Sequence, residues 1–291
     1  MGSPHGAALS AEDFGLKGPR GWAFRGVGFT APPGSLVAVE GPSGSGRTCL
    51  LLALTGRMRS TQGHAEVGGE RLPGRLAAVR RFSALGPVPG VSELDPSFTV
   101  AEHLRERALL RRRFDGSPRS LLRPRAERAA AARATVNGAL EAAGLDVAAL
   151  PKAERTSVRD LERLEALRLS VALALMGRPR LLAVDDTDLK LSVTDRALAW
   201  ELLRGLAADG TTVLAVCSEA PEDALTVRTR PAADAEPARE EPAREEPAEE
   251  EPGQEEPADE DDEPAAETSE GDTTTGNGKG TADAIAEAGR A

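Results

Sequence analysis

The chain has 291 residues and a net charge of −11, but that charge is unevenly divided. Residues 231–291 hold 21 acidic and 4 basic residues, a net of −17, which leaves +6 for residues 1–230. Two cysteines, Cys49 and Cys217, exclude a disulfide framework and suit a reducing compartment, while His5, His64 and His103 are too scattered for a metal cluster. No apolar run approaches the ~18–20 residues of a membrane helix, and the N-terminal stretch has no signal-peptide core, so a cytoplasmic protein is expected.

In chain order, "WAFRGVGFTAPPGSLVAVE" alternates apolar with small or polar residues around a Pro-Pro-Gly turn. That pattern predicts two or three strands, the last over residues 35–40. Next comes "GPSGSGRT", Gly41–Thr48, and then a helix predicted over 47–58 on its run of leucines. "GHAEVGGERL" reads as a hairpin turning at Gly68-Gly69. Residues 99–168 are rich in strong helix formers, broken by "DGSPRSLLRPR". Two buried strands follow, "RPRLLAVDDTD" and "GTTVLAVCSEAP". Strands separated by helices imply a parallel sheet with helices packed on it.

From residue 229 the composition changes. Prolines recur at 237, 242, 247, 252 and 257 in an acidic, alanine-rich background. Each proline removes a backbone donor, and the acids repel one another, so a disordered acidic tail is expected over 229–291.

The stretch Gly41–Thr48 fits the phosphate-loop pattern G-x-x-x-x-G-K-[ST] except at one position, where Arg47 replaces lysine. Gly41, Gly44 and Gly46 permit backbone conformations closed to other residues, and loop amides can then converge on an anion at the start of a helix. Pro42, Ser43 and Ser45 complete the predicted nucleotide-binding loop. Thr48 offers a hydroxyl for Mg²⁺. Arg47 keeps the charge of lysine but replaces a compact ammonium with a larger planar fork.

With that loop, the helical insertion and "GRPRLLAVDD" together, residues 8–220 resemble the ATP-binding subunits of ABC transporters. The resemblance implies an α/β P-loop NTPase core with an antiparallel β-subdomain and a helical subdomain. On that reading residues 1–100 form the first part of the core and the β-subdomain, 101–168 the helical subdomain, and 169–228 the second part of the core. It also implies ATP and Mg²⁺ as cofactors, Asp185 as the Mg²⁺-supporting carboxylate, and Asp186, one methylene shorter than the family's glutamate, as a weak general base. The expected partners are an integral membrane permease, which would hold the chain at the membrane's cytoplasmic face, and a second cassette in a homo- or heterodimer. No specific nucleic acid is expected.

Several positions depart from the family's pattern. The signature LSGGQ falls on Leu161–Glu165, "LERLE". The Q-loop glutamine falls near Gly90, the switch histidine on Ser218 and the D-loop aspartate on Ser192. Phe14 and Trp22 both stand as aromatics for adenine stacking. Hydrolysis is therefore expected to be weak or to depend on an intact partner cassette. The alternative is a non-hydrolytic adaptor that uses a degenerate cassette as an interaction platform. Ten arginines against four acids in residues 101–135 would serve either reading, at a permease or at anionic lipid.

Overall fold

A computed structural model of the chain describes residues 5–114 and 124–229, with side chains omitted for 112–114. The acidic tail expected over 229–291 lies outside the described residues except for Thr229.

Two sheets form the frame. The first is antiparallel, in the order β2-β1-β4-β5, from β1 (Leu9–Gly18), β2 (Gly21–Ala31), β4 (Gln62–Val67) and β5 (Glu70–Leu72). The β4–β5 pair is the hairpin expected at Gly68-Gly69. The second is parallel, in the order β6-β7-β8-β3-β9, from β3 (Leu36–Glu40), β6 (Ser83–Leu85), β7 (Leu181–Val184), β8 (Thr212–Cys217) and β9 (Leu225–Arg228).

The helices are α1 (Arg47–Leu54), α2 (Leu76–Phe82), α3 (Val100–Phe114), α4 (Arg125–Ala142), α5 (Arg163–Leu175) and α6 (Val193–Ala208). Three short 3₁₀ turns lie between α4 and α5, at Val147–Ala149, Ala153–Arg155 and Val158–Asp160. Among the described residues no helix is long and apolar enough to cross a membrane.

The parallel sheet is buried on both faces, and its side chains divide by the two-residue period of a strand. Val37 and Val39, Leu181 and Ala183, Leu214 and Val216 face a core shared with α1 and the antiparallel sheet. Leu36 and Ala38, Leu182 and Val184, Val213 and Ala215 face a second core, built with α5 and α6. A third, smaller core joins α3, α4 and α5 around Val100, Leu104, Leu169 and Met176. The apolar runs read as buried strands are thus the central strands of a parallel sheet.

Helix α1 ends four residues before its expected limit. Gly56 has φ 74°, a left-handed conformation that an L side chain rarely adopts, and the amides of Arg57 and Met58 fold back onto Leu52 O at 2.8 and 3.0 Å. This is a glycine-based helix stop, which the leucine run had masked.

Candidate functional site

The parallel sheet brings the C-terminal ends of β3, β7 and β8 side by side, the place where open α/β sheets form their binding crevices. After β3 comes the loop 41–46, after β7 the segment Asp185–Asp188, and after β8 Ser218.

The loop is held by close packing. Gly46 has φ 81°, and a Cβ there would lie 1.9 Å from Ala23 O of β2. A Cβ on Gly41 would lie 2.5 Å from Thr229 Oγ1 and 2.6 Å from Ser45 Oγ. Beneath the loop, Ser45 Oγ and Thr229 Oγ1 share a buried hydrogen bond of 2.7 Å, and Thr229 N–H donates to Glu40 O at 2.9 Å. Thr229, grouped with the tail by composition, is therefore a support of the loop. Gly44, at φ 82°, has open space where its side chain would be.

Helix α1 starts directly from this loop. Its N-cap is Gly46, which offers no side chain, and its first turn holds no acid. The first amides of a helix have no intrahelical partners, and the helix dipole adds positive charge there. In the same turn Thr48 Oγ1 donates to Asp185 Oδ2 at 2.7 Å. Asp185 is 2% exposed, and its other oxygen accepts from Asp186 N–H at 2.9 Å. Burial pushes its carboxyl above the usual range, and the Asp186 charge adds to this, against the lowering by the Thr48 hydrogen bond.

A triphosphate with Mg²⁺ fits this donor set. A hydroxyl and a carboxylate, both hard oxygen ligands, meet at the base of an uncapped helix start, and the loop above them is open at Gly44. Asp186 follows at φ 49° and is half-buried. The left-handed backbone turns the chain sharply after β7, so the two carboxylates do not point as successive residues of one strand.

Arg47 does something the sequence did not foretell. Its guanidinium crosses to β8, where Nη1 donates to Cys217 O at 2.5 Å. It thus ties the start of α1 to the neighbouring strand end, and part of its donor capacity is already in use. Burial holds the Cys217 thiol up at about 12.

The positions that depart from the expected pattern have structural employment. Glu162 is the N-cap of α5, and Glu165 Oε2 accepts from Glu162 N–H at 2.8 Å in a capping box. Ser192 caps α6, with its hydroxyl accepting from Asp195 N–H at 3.1 Å. Ser218 N–H donates to Asp188 Oδ2 at 2.8 Å, which holds the end of β8 to the segment after β7. Gly90 sits in a turn at φ 71°, closed by the Val88–Ser92 bridge.

Of the two aromatics, Phe14 is fully buried against Phe24, with ring centroids 5.7 Å apart. It belongs to the core. Trp22 is half-buried on β2, next to the Ala23 carbonyl that abuts Gly46, and Lys17 and Arg25 lie 5.6 and 5.1 Å from its ring.

A family model described as "ABC transporter" matches residues 24–188. Curated relatives include the Nod factor export ATP-binding protein I of Ralstonia nicotianae, 34% identical over 189 residues, covering 65% of this chain and 52% of the relative. The protein of the same name from Burkholderia pseudomallei is 35% identical over 189 residues, covering 65% and 55%. The chain thus spans about half the length of the curated relatives it matches. Among solved structures, a dimeric ATP-binding cassette in a post-hydrolysis state with ADP and Pi matches at TM-score 0.59 and 19% identity, covering 77% of this chain and 95% of that one. A nucleotide-free cassette from an ABC transporter matches at TM-score 0.58 and 17% identity, covering 78% and 88%. At that identity the structural likeness speaks for the fold: a P-loop ATPase core with its antiparallel and helical subdomains. With the loop, the two sheets and the helical insertion in their family order, and a family model matching more than half of its residues, this chain belongs to the ABC transporter family.

Proposed function

We propose that the protein is the ATP-binding subunit of an ABC transport system, taking Mg-ATP on the loop Gly41–Thr48. The observation that carries this reading is the start of α1: a left-handed glycine, no capping side chain, and Thr48 bonded to a buried carboxylate. In this reading Gly41, Pro42, Ser43, Gly44, Ser45 and Gly46 wrap the phosphates, and Thr48 and Asp185 hold Mg²⁺. Bound Mg²⁺ would supply charge neutralisation at the phosphates. Trp22, the more accessible of the two aromatics, is the candidate for stacking on the base.

Hydrolysis is weak or depends on a partner cassette. Asp186, the carboxylate at the general-base position, is shorter than the glutamate expected there, and general-base assistance supplies ~10²–10⁴-fold. Ser218 has no ring to orient a phosphate, and Glu162 puts negative charge on the signature position. A heterodimer with an intact cassette would repair only one of the two composite sites.

A separate membrane permease is the natural partner, and the relatives' names favour export. A cleft of about 510 Å³ beside α3 supports a partner contact on that side. Arg57, Arg80 and Arg107 converge there, and Val91 and Leu110 are exposed. Burial first, then the charges of Arg80 and Arg107, lower Arg57 to about 10. Glu93 and Glu106 line the same cleft, so the three arginines leave it a small positive excess, which suits a carbonyl-rich or weakly acidic segment with an apolar residue. The adaptor reading keeps this cleft and dispenses with nucleotide; the engagement of Arg47 with Cys217 is the one observation in its favour.

Equilibrium dialysis against Mg-ATP decides between them. Measurable binding is expected, and several-fold tighter binding for Arg47→Lys, whose compact ammonium is released from the β8 end. No binding to either protein would leave the adaptor reading standing. Turnover by the purified chain at the ~1 s⁻¹ or more common to enzymes would overturn weak hydrolysis.

A further inference from the structure

The phosphate loop and the strand end beside it differ in what they offer an anion. Leu50 N–H donates to Gly46 O at 2.9 Å and starts the hydrogen-bond ladder of α1. The amides of Arg47, Thr48 and Cys49 precede that ladder and stand ready for phosphate. At the end of the neighbouring β8 the donors are already taken. Ser218 and Glu219 N–H both donate to Asp188 Oδ2, at 2.8 and 3.4 Å, and Asp188 is itself buried. One residue earlier, Cys217 O accepts the Arg47 guanidinium. Among the described residues, the Ser218 hydroxyl is the donor left over at this strand end, and it is neutral.

The charges run the same way. Asp185 feels Asp186 and Arg47, while Cys217 feels Asp188, Glu40, Arg47 and Glu219. Arg228 takes up Glu40 in an ion pair of 3.0 Å. Asp185, Asp186, Asp188 and Glu219 then surround one cation, Arg47, whose guanidinium is turned to a backbone carbonyl. Arg163 stands beyond Asp186, in a cavity that none of residues 41–48 lines. Even with the two charges of Mg²⁺ added, negative charge remains in excess.

We propose that this site prefers a nucleoside diphosphate to a triphosphate, and that Arg47 sets the preference. The inference rests on the loop Gly41–Thr48 holding nucleotide. The loop amides, the start of α1 and the Thr48–Asp185 pair serve the first phosphates. A further phosphate adds a negative charge to a crevice whose remaining surface is carboxylate and whose donors are bound to the chain's own acceptors. A compact ammonium at position 47 would be free to meet that charge, whereas the planar fork of Arg47 is held by β8. Specificity here is a difference between two affinities, and it comes from what the crevice withholds from the third phosphate. The subunit would hold the diphosphate at rest and respond to the balance of diphosphate and triphosphate.

The test is calorimetry on the full chain with Mg²⁺, titrating ADP, AMP and adenylyl imidodiphosphate, a triphosphate that is not cleaved. ADP is expected to bind at least about threefold tighter than the triphosphate, the effect of one added charge against a small excess of like charge. Arg47→Lys should move the ratio toward the triphosphate by about tenfold, the weight of one charged hydrogen bond. Glu219→Gln removes an exposed acid at the end of β8 and should move the ratio the same way by about twofold. The melting temperature of each variant checks that it folds. A merely structural change would alter both affinities alike, whereas a specificity residue alters their ratio. A triphosphate bound as tightly as ADP or more tightly, or a ratio unmoved in folded Arg47→Lys, would overturn the preference and leave the nucleotide loop standing. No binding of any of the three, or AMP bound as tightly as ADP, would overturn the loop and the preference together.

Discussion

Helices α1 and α5 both pack on the parallel sheet, and their N-termini are finished in opposite ways. The start of α1 has a glycine cap, no acid in its first turn and Thr48 in reach of Asp185. The start of α5 is closed by the chain's own carboxylates, Glu162 and Glu165. Both solutions answer the same need, since the first amides of a helix and its dipole want negative charge. At α5 that need is met by the protein itself. At α1 it is left for something else. Three positions that depart from the family's pattern are used by the fold itself: Glu162 and Ser192 as helix caps, and Ser218 as a backbone tether to Asp188.

At the start of α1 the largest effects are expected at the glycines. Gly46→Ala sets a Cβ 1.9 Å from a backbone oxygen of β2 at a left-handed φ, and should cost at least about 4 kcal/mol. For a domain of this size that is a fall of roughly 8–16 °C in melting temperature. Gly44→Ala meets no atom within 4 Å and bears only the left-handed strain of about 1–2 kcal/mol. Similar losses at the two positions would mean that the loop is not drawn against β2.

A second test concerns Asp185. Its folded pKa is raised by burial, so the folded state holds the proton more tightly than the unfolded one. The linkage slope is then negative: stability contributed by the protonated form is present below the unfolded value of 3.8 and is lost as pH rises through the raised value. Asp185→Asn should therefore melt a few degrees above the parent at pH 7, and the gap should close toward pH 4. A variant that melts lower at pH 7 would show that the Thr48 hydrogen bond outweighs the burial of charge.

The smallest effect belongs to α5. Glu162→Gln keeps an acceptor at the cap and removes the charge, a loss of about 0.3–1 kcal/mol. The loss should shrink in high salt. A fall of many degrees would make Glu162 more than a cap.

Much of this was legible in the sequence, and the remainder was hidden for physical reasons. The central strands announced themselves because both their faces are buried, and the loop because only glycine suits its conformations. Strand β1 was concealed by its irregularity: the register shifts around Phe14, and Asp13 has φ 46°, so the two-residue alternation is broken. Strand β9 has only four residues. The partners of Arg47 and Ser45 lie 170 and 184 residues away, which no local pattern can report. The capping box at Glu162 and Glu165 was visible as two acids three residues apart, but it reads as a defect in a signature until the helix start is seen beside it.

The central question is whether the open end of α1 accepts a magnesium polyphosphate with Arg47 in place. The direct measurement is the melting temperature of the full chain with and without saturating Mg-ATP. A ligand of the native state at 100 times its Kd adds about 2.7 kcal/mol. A rise of roughly 5–10 °C is predicted for the parent, and it should disappear in Thr48→Val. A melting temperature unmoved by Mg-ATP would contradict the claim that this helix start was left open for nucleotide.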